Sequence, residues 1–132
     1  MNKWWIYQKE MFPLAGYVPM MFAFGFSSVS YSLHLANYNA RLSDLSAAQI
    51  ITAMITTLSV FMLMRIADEH KDYREDMEFR PYRPVPRGLV TLKELRRIGA
   101  VLTLVQIALS IWVDIRLLGM LFIVNQAVRG AL

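Results

Sequence analysis

From position 47 the chain reads AAQIITAMITTLSVFMLM, 18 residues without a charge. As a helix that stretch is about 27 Å long, close to the thickness of a hydrocarbon core. Two further blocks share its character. Residues 12–35 hold no Lys, Arg, Asp or Glu over 24 positions and include Pro13, Pro19 and His34. Residues 98–113 (IGAVLTLVQIALSIWV) add 16 more. A fourth block starts at Leu117, meets Asn125, Gln126 and Arg129 after eight apolar residues, and is too short to span. The pattern predicts an all-α integral membrane helical bundle in one transmembrane domain. Three full transmembrane helices are expected over about 12–35, 47–66 and 97–113, plus a short fourth over 116–128. The abrupt fourth block leads to the expectation that the chain is a fragment of a larger bundle.

The residues between the blocks set the element boundaries. Trp4, Trp5 and Tyr7 precede the first block, where amphipathic aromatics sit well at headgroup depth. Pro13 suits a first helical turn, and Pro19, deeper, is expected to kink the helix or re-aim its entry. Residues 36–45 read as a short polar connection. Ser46 with Gln49 fits a capping box for the second helix. Nothing between Arg65 and Phe79 breaks a helix, so that helix is expected to project from the membrane until Arg80-Pro81 ends it. Pro81, Pro84 and Pro86 are expected to hold an extended, stiff segment, with Gly88 permitting a turn. Thr91 with Glu94 is a second capping box, opening the helix that enters the membrane after Arg97. Asp114 and Arg116 mark the turn after the third block.

Composition supports this class. A hydrophobic fraction of 56% is more than a soluble domain of 132 residues could hide. The first block is too long for a signal peptide and no cleavage site follows it. The absence of cysteine excludes disulfides and thiolate metal sites. A net charge of +4 could suggest nucleic acid, but nine of the fourteen Lys and Arg lie between Arg65 and Arg97. Lys3 and Lys9 precede the first span, and only Arg41 lies between the first two. Two spans return the chain to its starting side. The N-terminus and the 65–97 loop are therefore expected on one side, the cytoplasmic side of the plasma (inner) membrane, with no nucleic-acid partner.

The charge is concentrated in RIADEHKDYREDMEFRPYRPVPRGLV, residues 65–90, with six acids, five arginines and Lys71. On a straight helix Asp68, Asp72 and Asp76 fall within about 80° of one another, with Arg65 inside the sector and Glu69 at its edge. Carboxylates one turn apart repel, and Mg²⁺ offsets that repulsion while completing its shell with water and phosphate oxygens. Arg80, Arg83 and Arg87 follow, and planar guanidinium groups suit phosphate bidentately. Together they suit a diphosphate at a membrane surface. Part of the charge has a plainer reading: Lys71–Glu75 and Arg74–Glu78 are i,i+4 pairs of a solvated helix face. His34 reads as packed, His70 as solvated, and Met54, Met62 and Met64 as helix packing.

The stretch ADEHKDYREDMEFRPYRPVPRGLVTLKEL resembles the first aspartate-rich motif and following loop of the UbiA superfamily of intramembrane prenyltransferases. That motif is written N-D-x-x-D-x-x-x-D, with a loop ending R-P-L-x-x-G. Asp72 and Asp76 match its Asp-x-x-x-Asp core, and Arg83-Pro84-Val85-Pro86-Arg87-Gly88 matches the loop. Ala67 stands where the motif has Asn, and Asp68 precedes Asp72 by four residues instead of three. The resemblance covers roughly 65–95. By analogy it implies a bundle of roughly nine transmembrane helices with a second aspartate-rich motif in a later cytoplasmic loop. It implies Mg²⁺-dependent transfer of an isoprenoid from a prenyl diphosphate to an aromatic or lipid-like acceptor. Asp72 and Asp76 would be catalytic, Asp68, Asp72 and Asp76 would hold Mg²⁺, and Arg80, Arg83, Arg87 and Lys71 would bind the diphosphate. The only later acids are Glu94 and Asp114. The chain thus carries half of such a site and is expected to be inactive alone.

The alternative is a non-enzymatic small helical membrane protein whose charged cytoplasmic loop binds anionic lipid headgroups. Seven acids interleave with nine basic residues across 65–97, whereas a lipid-binding patch gains from basic excess. A phospholipid-head transferase would need an Asp-Gly step, and none occurs.

Overall fold

A computed structural model describes residues 2–36 and 46–113, with isolated positions 115, 119, 122, 123 and 126. The polar connection with Arg41, the turn residues Asp114 and Arg116, and the short fourth span lie outside the described residues apart from those positions. Among the described residues five helices follow in the order α1 (Lys3–Met11), α2 (Leu14–Ala36), α3 (Ala47–Lys71), α4 (Tyr73–Phe79) and α5 (Leu92–Val113). Among the described residues there is no strand.

Both capping boxes form. At Ser46 the hydroxyl accepts from the Gln49 backbone N–H and the Gln49 side-chain Oε1 accepts from the Ser46 N–H. At Thr91 the hydroxyl accepts from the Glu94 N–H, and Glu94 accepts from the Thr91 N–H at 3.0 Å. Each satisfies donors that a helix start leaves unpaired.

The N-terminal segment adds a helix ahead of the first expected span, whose bounds α2 follows closely. Residues 3–11 form a separate helix, capped by Asn2, and the sharp change of direction is at Phe12-Pro13, where α1 and α2 meet at 57°. Pro13 precedes the helix, and its carbonyl accepts from Gly16 and Tyr17. A residue without an N–H costs nothing there. The Gln8 side chain accepts from the Leu14 N–H, and Phe12 stacks on Tyr17 at 4.4 Å, so the corner is tied from both sides. Pro19 stays inside α2.

α3 and α5 are each long and apolar enough to cross a membrane, and α2 meets that standard only together with α1. α3 is the central helix, packed against both α2 and α5. Gly25 is buried on α2 at this contact, where a Cβ would lie 3.1 Å from the Met54 sulfur. On α5, Gly99 faces Leu63 and Ile66 of α3. The amphipathy is inverted relative to a soluble bundle. Phe22, Phe24, Phe26, Val101, Leu104 and Trp112 point outward, while Thr52, Ser59, Gln106 and Ser110 are buried. Small and polar side chains between helices with apolar ones outside suit a lipid surround.

At 25 residues α3 is about 37 Å long, more than a hydrocarbon core requires, so its charged end stands clear of the apolar segment. The first turns of α5, with Lys93, Glu94, Arg96 and Arg97, stand out at the same end. The polypeptide between them builds the candidate site.

Candidate functional site

The projecting helix is not continuous to Phe79. It bends at Asp72, whose φ of −87° and ψ of 2° leave the helical region, and α4 resumes one residue later. The residues after it do not form an extended segment either. Arg83, Arg87 and Gly88 donate to the carbonyls of Arg80, Arg83 and Val85, and Leu89 and Val90 both donate to Pro84. Pro81, Pro84 and Pro86 therefore lie in a run of tight turns, for which a φ fixed near −65° is also suited. Gly88, at a φ of 78°, supplies the left-handed step as expected.

These turns fold back onto α3 and α5. Val85, Val90, Leu95 and Ile66 form a small apolar core, and Tyr7 of α1 completes it at 1% exposure. α1 therefore packs on the charged loop with Trp4 and Met11 at the edge of the same core. Ion pairs fasten it: Lys3 to Glu94 at one end, and Glu10 to Arg87 at 3.1 Å at the other. These contacts put the N-terminus and the 65–97 loop at one end of the bundle.

Beneath α1 lies a compact charge network. Arg65 donates from Nη2 to Glu69 Oε1 at 2.6 Å and to the Met11 sulfur at 3.7 Å. Arg83 donates to Asp76 Oδ2 at 2.5 Å, and Arg80 lies 3.5 Å from Oδ1. Glu69 and Asp76 are each about 2% exposed. Burial pushes the Glu69 carboxyl above its ordinary pKa, against the opposing pull of Arg65. Burial and the Glu69 charge raise the Tyr7 phenol likewise, so it stays a neutral hydroxyl. Several buried polar atoms here make no well-formed hydrogen bond: Tyr7 Oη, which the Arg65 guanidinium approaches, Arg65 Nε, His70 Nε2, and Asp76 Oδ1, which has only its ion pair with Arg80. His70 is half-buried and donates from Nδ1 to the Ile66 carbonyl at 2.8 Å, so the solvated position expected for it is not the one it takes.

The structure separates the residues singled out in the sequence. Asp76 is buried against arginine, Asp72 is half-buried at the bend, and Asp68 is exposed on α3. The bend breaks the single face assumed for a straight helix, and among the described residues no three acidic or histidine side chains converge as a metal site. Asp72 and Asp76 remain one helical turn apart, since the Asp76 N–H donates to the Asp72 carbonyl. Arg83 is taken by Asp76, Arg87 is shared between Glu10 and the Tyr82 carbonyl, and Lys71 is exposed. Lys71, Arg74, Glu75 and Glu78 are all exposed, as a solvated face requires.

Glu69, Tyr7, Lys3 and Glu10 are not among the candidate site residues expected from the sequence, where Glu69 stands only at the edge of the aspartate face. For Glu69 a signal existed: it stands three residues before Asp72, the interval that N-D-x-x-D-x-x-x-D calls for, with Glu in place of Asp. No protein-family model, no curated protein and no solved structure matches the chain.

The Lys3–Glu94 pair has a consequence for pH. The Lys3 hydrogen bond, with those from Thr91, holds the Glu94 carboxyl at about 2, below its ordinary 4.5. A depressed folded-state pKa contributes stability that is complete above the unfolded value and lost as pH falls through the folded one. Contacts at the Lys3 end of α1 should therefore loosen between pH 4.5 and about 2. Hydrogen exchange of the α1 amides across that range reads it, and Glu94→Gln should remove the step.

Proposed function

We propose that this chain contributes the first aspartate-rich motif of a UbiA-type prenyltransferase embedded in the cytoplasmic membrane. The observation that carries the reading is the placement of Asp72, Asp76, Arg80, Arg83 and Arg87 together in one headpiece beyond the ends of apolar helices. A prenyl diphosphate needs both parts, a charged seat for its head and an apolar surround for its tail.

The donor set suits Mg²⁺ in part. Asp76 Oδ1 has no hydrogen-bond donor, only the Arg80 ion pair at 3.5 Å, which a metal ion would have to replace, and neither Asp72 nor Asp68 has an ion pair among the described residues. One or two carboxylates suffice when water and phosphate oxygens complete the shell, so the lack of a three-carboxylate cluster among the described residues is compatible with this ion. Asp72 and Asp76 would hold Mg²⁺, with Asp68 at the exposed margin, and its charge would stabilise a departing diphosphate. Arg80 and Arg87, with exposed guanidinium groups, and Lys71 would take the phosphate oxygens. Arg83 would hold Asp76 in place. The apolar helices would exclude water from the isoprenoid and from an aromatic or lipid-like acceptor.

A second reading is favoured by the burial of Asp76 and Glu69 against arginine. The charges would then be structural, and the exposed basic side chains would rest on anionic headgroups without catalysis. One binding experiment separates the two. The purified chain in detergent is titrated with labelled geranyl diphosphate, with and without Mg²⁺. The enzyme reading expects Mg²⁺-dependent binding that Asp72→Asn abolishes. Binding only to phosphatidylglycerol vesicles, unchanged by Mg²⁺ or by Asp72→Asn, would overturn it.

A further inference from the structure

We propose that α1 is a strap whose Glu10 carboxylate competes with a diphosphate for Arg87; this rests on the reading of Arg87 as a phosphate-binding side chain. Arg87 divides its guanidinium between two acceptors. Nη1 donates to the Tyr82 carbonyl at 3.0 Å, which anchors the side chain to its own loop, and Nη2 donates to Glu10 at 3.1 Å. The first bond holds Arg87 in position whatever happens to the second. The second joins side chains that are 37% and 41% exposed, so an anion from solvent can replace Glu10 without unfolding the loop. The Asp76–Arg83 pair offers no such exchange, because Asp76 is buried.

The rest of α1 makes the exchange consequential. Tyr7, one turn before Glu10, covers Ile66, Val85, Val90 and Leu95. Met11, the next residue, accepts from Arg65 over the Glu69 pair. α1 reaches the headpiece through these long side chains and the two ion pairs, and a 57° corner at Phe12-Pro13 separates it from α2. A diphosphate on Arg87 would repel Glu10 and release that end of the strap first. Linkage makes the effect reciprocal: a docked strap weakens diphosphate binding by the factor by which diphosphate loosens the strap. Exposed ion pairs are weak, so the expected factor is small, about threefold.

The test uses the whole chain in detergent, with Mg²⁺ and labelled inorganic diphosphate as the probe. Affinity and the hydrogen exchange of the α1 amides are both measured. Diphosphate should speed exchange in α1, and Glu10→Gln should raise affinity about threefold. Glu78→Gln, which removes an exposed acid from the solvated face of α4, should leave affinity unchanged. Arg87→Gln should weaken binding in either background. The strap is overturned, with the arginine reading intact, by three results: binding that Arg87→Gln weakens but Glu10→Gln does not improve, an equal gain from Glu78→Gln, or binding without faster exchange in α1. Absence of diphosphate binding in both the unaltered chain and Glu10→Gln overturns the arginine reading and the strap together.

Discussion

Replacing Asp76 with alanine should destabilise the headpiece by about 3 kcal/mol, the low end for breaking a buried ion pair. The low end applies because the Arg83 side chain keeps 23% exposure and can recover some hydration, whereas Asp76 has 2%. Asp76→Asn should cost nearly as much, since the amide keeps the shape but not the charge that balances Arg83. The loss should be present with no Mg²⁺ in solution, because the partner is arginine. A double-mutant cycle with Arg83→Gln, followed by denaturant titration of the Trp4 and Trp5 fluorescence, measures the pair directly. A coupling of about 2 kcal/mol is expected. Strictly additive losses would mean that the two side chains do not meet.

Tyr7 should give the other large effect, with a sign that depends on the replacement. Tyr7→Ala removes the one α1 side chain buried in the headpiece core and should cost about 3 kcal/mol, seen as release of α1. Tyr7→Phe keeps the ring and deletes a buried hydroxyl that makes no well-formed hydrogen bond, with only a weak approach from the Arg65 guanidinium. A buried hydroxyl so poorly paired carries a desolvation penalty, so the phenylalanine variant should match or exceed the unaltered chain in stability. Hydrogen exchange across 3–11 in the two variants checks both. A loss in Tyr7→Phe similar to that in Tyr7→Ala would show that the hydroxyl is hydrogen-bonded in solution and that the packing described around it is incomplete.

What was legible in the sequence was local. The uncharged runs that became α3 and α5, and the boxes at Ser46–Gln49 and Thr91–Glu94, involve residues a few positions apart, and a helix turn brings such residues together whatever the tertiary fold. The docking of α1 was hidden because Glu10 meets Arg87 across 77 positions and Lys3 meets Glu94 across 91. Nothing in a tryptophan-rich N-terminus distinguishes interfacial anchoring from packing on a loop. The prolines were legible as stiff but not as turned, because a φ near −65° serves both conformations and the carbonyl acceptors decide between them. The aspartate row was drawn on a straight helix. The bend at Asp72 sends Asp76 in toward Arg83 and leaves Asp68 in solvent.

Both proposals depend on the N-terminal helix and the charged loop occupying one side of a membrane, and cysteine accessibility tests that most directly. The chain has no native cysteine, so single substitutions report cleanly. Asn2→Cys, Tyr82→Cys and Ser46→Cys are exposed positions, the first two in the headpiece region and the third at the opposite end of α3. An impermeant thiol reagent added to intact cells should label Ser46→Cys alone, and the other two only after permeabilisation. Labelling of Asn2→Cys and Tyr82→Cys from opposite sides would contradict the docking of α1, and labelling of Tyr82→Cys but not Ser46→Cys in intact cells would reverse the orientation.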